Sequence, residues 1–300
     1  MEKFPLVSVV CLCYNHAPFV VDSLNSVLSQ QYQPIEIIIV DDCSTDASVA
    51  VIEAWLADKK GITFIKNPVN LGNTKSFNKA LKVTQGAYII DLATDDLLLP
   101  DCIAQQVDKF NTSTHERLGI VYANAALIDE NGAFLSHYFK SNADGTLVTK
   151  RASGDEYLRI ITGGEEAMCT VTAMVKKQVF DRLDGYDEQL AYEDLDFWIR
   201  AARLYQFDFI DAVLFQKRVL PNSLGTNFHR KKSDLSKKIN TSTYQILKKV
   251  YHLNQTKEED KAILKRLHYE MLLNFKNSHY IMVVNYAFLE LKIRWRLLLK

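Results

Sequence analysis

The chain has no run of about 18 apolar residues, so no membrane-spanning helix is expected. Cysteine is scarce: five residues, an odd number without framework spacing, with Cys11 and Cys13 alternating inside an apolar stretch as small hydrophobes. A disulfide scaffold is therefore not expected, and a reducing, cytoplasmic setting is. No Cys-x2-Cys or His-x3-His pair occurs, which leaves His16, His137 and His229 as ordinary surface or loop histidines rather than zinc ligands. Residues 6–13 lack a basic flank beyond Lys3 and a small-residue cleavage site, so they do not read as a signal peptide. Glycine is missing where a dinucleotide would need it. Tyr14-Asn15-His16-Ala17-Pro18 follows the first apolar stretch and offers a pyrophosphate no close backbone approach. Phosphates bound there need another counter-charge, and a divalent cation held by aspartates is the simplest.

Net charge is also absent, 36 basic against 36 acidic side chains, but the balance hides a split. Residues 230–300 carry 16 Lys and Arg against 6 Asp and Glu, which leaves the first 229 residues at −10 and the tail at +10. That pattern fits an acidic body and a basic tail with a partner of its own.

The first hundred residues alternate strand and helix. Apolar, β-branched stretches at 7–13, 35–40, 62–65 and 88–92 read as strands, and helical periodicity covers 18–30, 47–57 and 74–83, with Ser44 or Asp46 as a cap for the second helix. Such alternation predicts a parallel sheet covered on both faces, with ligands at the carboxyl ends of its strands. Tyr14, Asp42, Asp95 and Asp96 all fall at strand ends. Further on, strands are expected at 120–126, at 134–139 after an Asn131-Gly132 turn, and at 169–175. A surface excursion is expected at 142–164, short helices at 177–183 and in the second half of 185–200, and helices through 232–300.

The stretch 86–100 holds the clearest chemistry. Gly86 starts the fourth strand, and two adjacent carboxylates follow it, ahead of a helix opened by Pro100. Side by side, two ionised carboxylates repel, and one pKa rises unless a cation intervenes. Either residue could instead cap the helix. Glu193 and Asp194 pose the same choice, since acidic residues in the first turn of a helix suit its dipole.

Taken together, Val7 to Asn15 (VSVVCLCYN), Ile39 to Asp46 (IVDDCSTD), Asn70-Leu71-Gly72, Asn78, Asp95-Asp96 and Glu193-Asp194 resemble, in order and spacing, the inverting GT-A glycosyltransferases of family 2. The resemblance covers about residues 5–225. It implies an α/β GT-A fold, a mostly parallel central sheet flanked by helices, here with a C-terminal helical extension. It divides the chain into a catalytic domain over 1–229, with a nucleotide-sugar half at about 1–100 and an acceptor half at about 101–229, and a basic extension over 230–300. It also implies transfer of a sugar from a nucleotide-diphosphate donor, UDP- or dTDP-linked by family habit, to an acceptor hydroxyl in bacterial cell-surface polysaccharide synthesis. Leu12, Tyr14, Asn15, Asp42, Lys75, Asn78, Asp95 and Arg218 would then bind the donor, with Tyr14 against the base, Asp42 bonded to it and Asp95 at the ribose or sugar. Asp96 would hold Mn2+ or Mg2+, Asp194 would be the general base, and Glu193 and Trp198 would lie on the acceptor side.

Three positions depart from the pattern: Ala93 opens Ala-Thr-Asp-Asp in place of a further carboxylate, Phe77 replaces an arginine, and Leu220 replaces a histidine. They leave open a non-catalytic nucleotide-sugar-binding subunit. A sugar nucleotidyltransferase is the other alternative, although it would want a glycine-rich basic loop near the N-terminus. In the tail, Tyr280, Val283, Ala287, Phe288, Leu291, Trp295 and Leu298 follow helical spacing. Such a stripe packs on the body, pairs with a second copy, or rests on anionic lipid at the inner face of the plasma membrane, where a lipid-linked saccharide acceptor would be found. No nucleic-acid-binding motif accompanies the charge.

Overall fold

The computed structural model describes residues 4–299 apart from 152, 164–167, 193 and 222–232. Glu193 and His229 therefore lie outside the described residues. Four parallel strands form the core of the N-terminal half: β1 (Val7–Cys13), β2 (Ile35–Asp41), β3 (Thr63–Lys66) and β4 (Tyr88–Ala93), in the order β3-β2-β1-β4. Every residue of β1 is buried, which explains why it is apolar but for Ser8, because helices cover both faces. The helices between these strands are α1 (Val20–Leu28), α2 (Ser48–Leu56) and α3 (Asn73–Leu81). Register sets up the site: Cys13 pairs with Asp41 and Leu12 with Ala93, so three strands end at one rim.

Beyond β4 the sheet is mixed. A two-residue strand β5 (Leu97–Leu98) precedes α4 (Cys102–Thr112), and then come β6 (Leu118–Ile128), β7 (Phe134–His137), α5 (Tyr157–Thr162), β8 (Met174–Lys176), α6 (Lys177–Leu183), α7 (Asp194–Leu204) and β9 (Gln206–Arg218). The strand order continues from β4 through β8, β6 and β9 to β5. The β6–β9 pair is parallel, β8 is antiparallel to β4 and β6, and β7 is antiparallel to β6.

Several expectations change here. The strand expected at 169–175 begins instead as a 3-10 turn, Thr170–Thr172. The Thr172 hydroxyl takes the place of a ladder bond: it accepts from the Ala123 N–H at 3.1 Å and lies 2.7 Å from the Cys169 carbonyl. The excursion at 142–164 is not all surface, because α5 within it buries Tyr157, Ile160 and Ile161. The helix after Pro100 starts two residues later, with Asp101 at its N-cap, so neither Asp95 nor Asp96 caps it.

The tail forms α8 (Asp234–Leu253), α9 (Lys257–Lys276) and α10 (Tyr280–Leu299). α9 opens with a reciprocal Thr256–Glu259 capping box. These helices are bonded into the body. Lys249 Nζ lies 2.6 Å from the buried Asp196 carboxylate and 2.5 Å from Asp187, and Arg203 meets Glu259 at 3.0 Å. The Tyr157 hydroxyl donates to Asn254 at 2.8 Å.

Candidate active site

The loop after β1 is pinned to the loop after β2. Asn15 adopts a left-handed backbone, φ 58°, which turns its side-chain carbonyl onto the N–H groups of Thr45 (2.7 Å) and Asp46 (3.3 Å). Asn is among the few residues that hold this conformation cheaply. Asp46 returns the contact by accepting from Ala17 N at 3.0 Å and Ser48 N at 2.9 Å. Burial opposes ionisation there, but hydrogen bonds from Ser48 and Ala17 prevail and hold the carboxyl below its ordinary range. Asp46 thus takes the capping role at α2, one residue ahead of the formal cap Ala47. Above this frame Tyr14 stands 45% exposed, an aromatic face open at the rim. The carbonyl of buried Leu12 accepts from both the N–H and the hydroxyl of Thr94, at 2.9 and 3.1 Å.

Asp42 is buried and accepts four protein donors: Asn67 Nδ2, Leu71 N and the Ser76 hydroxyl on one oxygen, and Gly72 N on the other. It shapes the 67–72 loop beside the end of β2. Asn78 is likewise engaged, clamping the Tyr186 backbone by donating to its carbonyl at 2.8 Å and accepting its N–H at 2.9 Å. Lys75 lies exposed on the outer side of α3.

At the end of β4, Thr94 is fully buried and its hydroxyl meets His16 Nδ1 at 3.0 Å, while the same nitrogen lies 3.8 Å from Asp95. Asp96 is buried, and its Oδ1 accepts the Arg218 N–H at 2.7 Å. Burial pushes the Asp96 carboxyl up to about 7, the adjacent Asp95 charge adds to this, and Lys217 and Arg218 pull it back. Arg218 spends its guanidinium on backbone carbonyls of Asp95 (3.1 Å), Asp129 (2.8 Å) and Glu130 (2.9 Å) and stacks over Phe19.

Asp194 begins α7. Sequence reasoning leaves two opposed effects on it, a helix dipole that strengthens the acid and burial that weakens it. Burial prevails: the Asp194 carboxyl is pushed up despite the Leu195 N–H at 2.6 Å, the Lys217 charge and a bond from the Thr170 hydroxyl. A carboxyl raised in this way is a better proton acceptor at neutral pH. Behind it lies Asp91 of β4, bonded to the Tyr186 hydroxyl at 3.0 Å and within reach of the Asp194 charge. Trp198 packs in the core against Phe197 and Phe207, 4% exposed, not on an open face.

Sequence reasoning passed over two of these residues. The Lys217 charge favours the ionised form of both Asp96 and Asp194. Its position beside Arg218 was visible, but only β9 turns it inward. The half-buried Thr170 is the other, and no sequence signal pointed to it. A surface cleft of about 940 Å3 lies elsewhere, lined by Asn78, Lys82, Lys177, Asp187, Arg200 and others, and none of Asp42, Asp95, Asp96 and Asp194 lines it.

The donor set suits a hard divalent cation. Asp95 and Asp96 offer carboxylate oxygen next to each other, and the raised Asp96 marks a charge the fold leaves under-compensated. No cluster of three His, Cys, Asp or Glu ligands occurs among the described residues. Mg2+ and Mn2+ take one or two protein carboxylates and complete their shell with phosphate and water, so Asp95 and Asp96 are the residues that would hold either ion.

Comparison with known proteins gives a consistent outcome. The family model described as "Glycosyl transferase family 2" matches residues 8–183. An uncharacterized glycosyltransferase of Methanocaldococcus jannaschii is 33% identical over 226 residues, 74% of this chain and 73% of that protein. Chondroitin synthase of Escherichia coli is 25% identical over 238 residues, 79% of this chain but 32% of the enzyme. Among solved structures, residues 1–349 of S. aureus TarS with UDP-GlcNAc superpose with a TM-score of 0.67 at 16% identity, covering 93% of this chain and 79% of that one. A Pyrobaculum calidifontis mannosyltransferase with GDP-Man and Mn2+ gives 0.60 at 18%, covering 95% and 74%. These likenesses establish the GT-A fold.

Proposed function

From the premise that this chain belongs to glycosyl transferase family 2, we propose an inverting, cation-assisted transfer of a sugar from a nucleotide-diphosphate donor to an acceptor hydroxyl. The donor lies along the rim, its base against Tyr14 and the loop that Asp42 shapes, its ribose or sugar at Asp95. A Mn2+ or Mg2+ ion held by Asp96 would supply Lewis-acid stabilisation of the departing diphosphate. A neighbour solved with GDP-Man and Mn2+ supports that assignment. The acceptor oxygen attacks the anomeric carbon on the face opposite the diphosphate, and the carbon–oxygen bond to the diphosphate breaks. The hydroxyl proton passes to the Asp194 carboxylate. Lys217 offsets the negative charge between the two carboxylates. The donor is UDP-linked or dTDP-linked, supported by the neighbour with UDP-GlcNAc, and the neighbour with GDP-Man supports a GDP-linked donor as the second reading. A saccharide or lipid-linked saccharide acceptor fits polysaccharide synthesis, supported by the relative named chondroitin synthase, of which this chain spans about a third.

The observation that carries this reading is the rim where β1, β2 and β4 end, with Asp95 and the buried Asp96 side by side after β4 and the Arg218 N–H bonded to Asp96. One test uses two variants in calorimetry and a turnover assay. Asp194→Asn is expected to lower transfer by about 10²–10⁴-fold while donor Kd stays as in wild type. Asp96→Asn is expected to lose the cation-dependent part of donor affinity. Wild-type turnover in Asp194→Asn would remove that residue from the mechanism.

A further inference from the structure

α10 has two apolar faces, and the protein uses one. Met282, Tyr286, Leu289 and Ile293 are buried inside the C-terminal helices. Ile281, Val284, Phe288, Leu291, Trp295 and Leu298 point the other way and are each 52–79% exposed. Their spacing of three, four, three, four, three keeps them in one stripe along the helix. At roughly 100 Å2 of open surface each, by the size of such side chains, the stripe exposes about 600 Å2. That sits at the upper end of patches found on monomers, about 300–600 Å2. Leu272 and Phe275 on α9 extend it, joined at the α9–α10 turn by the Phe275–Tyr280 ring contact.

Charge decides what can cover this face. At 100° per residue, Lys292 and Arg294 fall on opposite flanks of the stripe, and both are exposed. The one carboxylate on α10, Glu290, is largely buried and already bonded to Arg294, with His268 3.8 Å away. With Glu290 taken up by Arg294, a second copy docked through this stripe would bring the exposed Lys292 again and no free α10 carboxylate to meet it, whereas paired helices place complementary charges at their flanks. An anionic lipid surface answers both features at once. It takes the apolar ridge below the headgroups, Trp295 at their level, and lysine and arginine among the phosphates. We propose that the exposed face of α10, with the end of α9, docks the protein onto anionic lipid.

The test is sedimentation of the full chain with phosphatidylcholine vesicles, with and without phosphatidylglycerol. Binding is expected on the anionic vesicles, reduced by added salt and absent on the neutral ones. Lys292→Ala should weaken it about fivefold, since one cation near such a surface contributes about 1 kcal/mol. Phe288→Glu with Trp295→Glu should bring it to background. All three residues are exposed, and unchanged melting temperatures verify that the variants fold. Equal binding to neutral and anionic vesicles, or no binding to either, overturns the proposal. So does a dimer by light scattering that Phe288→Glu dissociates, which would assign the face to a second copy.

Discussion

Asp91 carries a carboxyl in the middle of a β-strand, and burial pushes its pKa up to about 7, against the Tyr186 hydrogen bond and with the Asp194 charge. Its unfolded value lies near 4. A group raised on folding stabilises the native state fully below the unfolded value and loses that contribution as pH rises through the folded one. Asp91→Asn keeps an acceptor for Tyr186 and removes the charge. It should raise the melting temperature at pH 8, with a gain of the order of 2 kcal/mol, and leave it unchanged below pH 4. Thermal denaturation across pH measures both. Lys217 acts in the opposite sense on Asp194. Without that cation, in Lys217→Met, the acidic limb of the pH–rate profile should move to higher pH, because the base then keeps its proton longer. None of this charge balance was legible in the sequence. The acidic residues could be named, but whether the dipole or burial governs Asp194 depends on what packs over it.

At the scale of elements, Gly86 shows how a residue can be singled out for one reason and required for another. It reads as a turn glycine before β4, yet its backbone is not left-handed. A Cβ there would lie 2.5 Å from Ser8 N and 2.6 Å from the Ser8 hydroxyl, which accepts the Gly86 N–H. Gly86→Ala must push β1 and β4 apart, at a cost of about 1–3 kcal/mol, read from chemical denaturation. The parallel half of the sheet was legible because β1, β2 and β4 are mostly apolar and β-branched, broken internally only by Ser8, Glu36 and Asp91, with turn signals between them. The later half was less so. β9 alternates Phe207 and Phe209 with polar neighbours, a pattern that could have been read. By contrast, β5 is two residues long and exists only because β9 lies beside it. The 3-10 turn at Thr170–Thr172 depends on a hydroxyl bonding to β6, a long-range contact outside any local window.

For the molecule as a whole, the boundary expected near residue 229 is crossed by several bonds. Lys249 reaches Asp196 and Asp187, Glu259 reaches Arg203, and Ser242 accepts the Ala191 N–H at 2.8 Å. Lys249 is one of two cations on the buried Asp196, so removing α8 leaves that carboxylate under-paired. A chain shortened to residues 1–229 should melt about 10 °C or more below the full one, followed by circular dichroism. Full-length protein should show one cooperative transition. Body and tail are distinct in charge and continuous in packing.

Arg218 has a consequence for how such a sequence can vary. Its guanidinium reads backbone carbonyls at Asp95, Asp129 and Glu130, and peptide carbonyls are the same whatever side chain a mutation installs. The two loops it ties, after β4 and after β6, can therefore exchange residues for new donors or acceptors without breaking the tie. The whole evolutionary constraint falls on position 218, where lysine lacks the planar fork needed to reach three oxygens. Selection can rewrite specificity around that one fixed side chain.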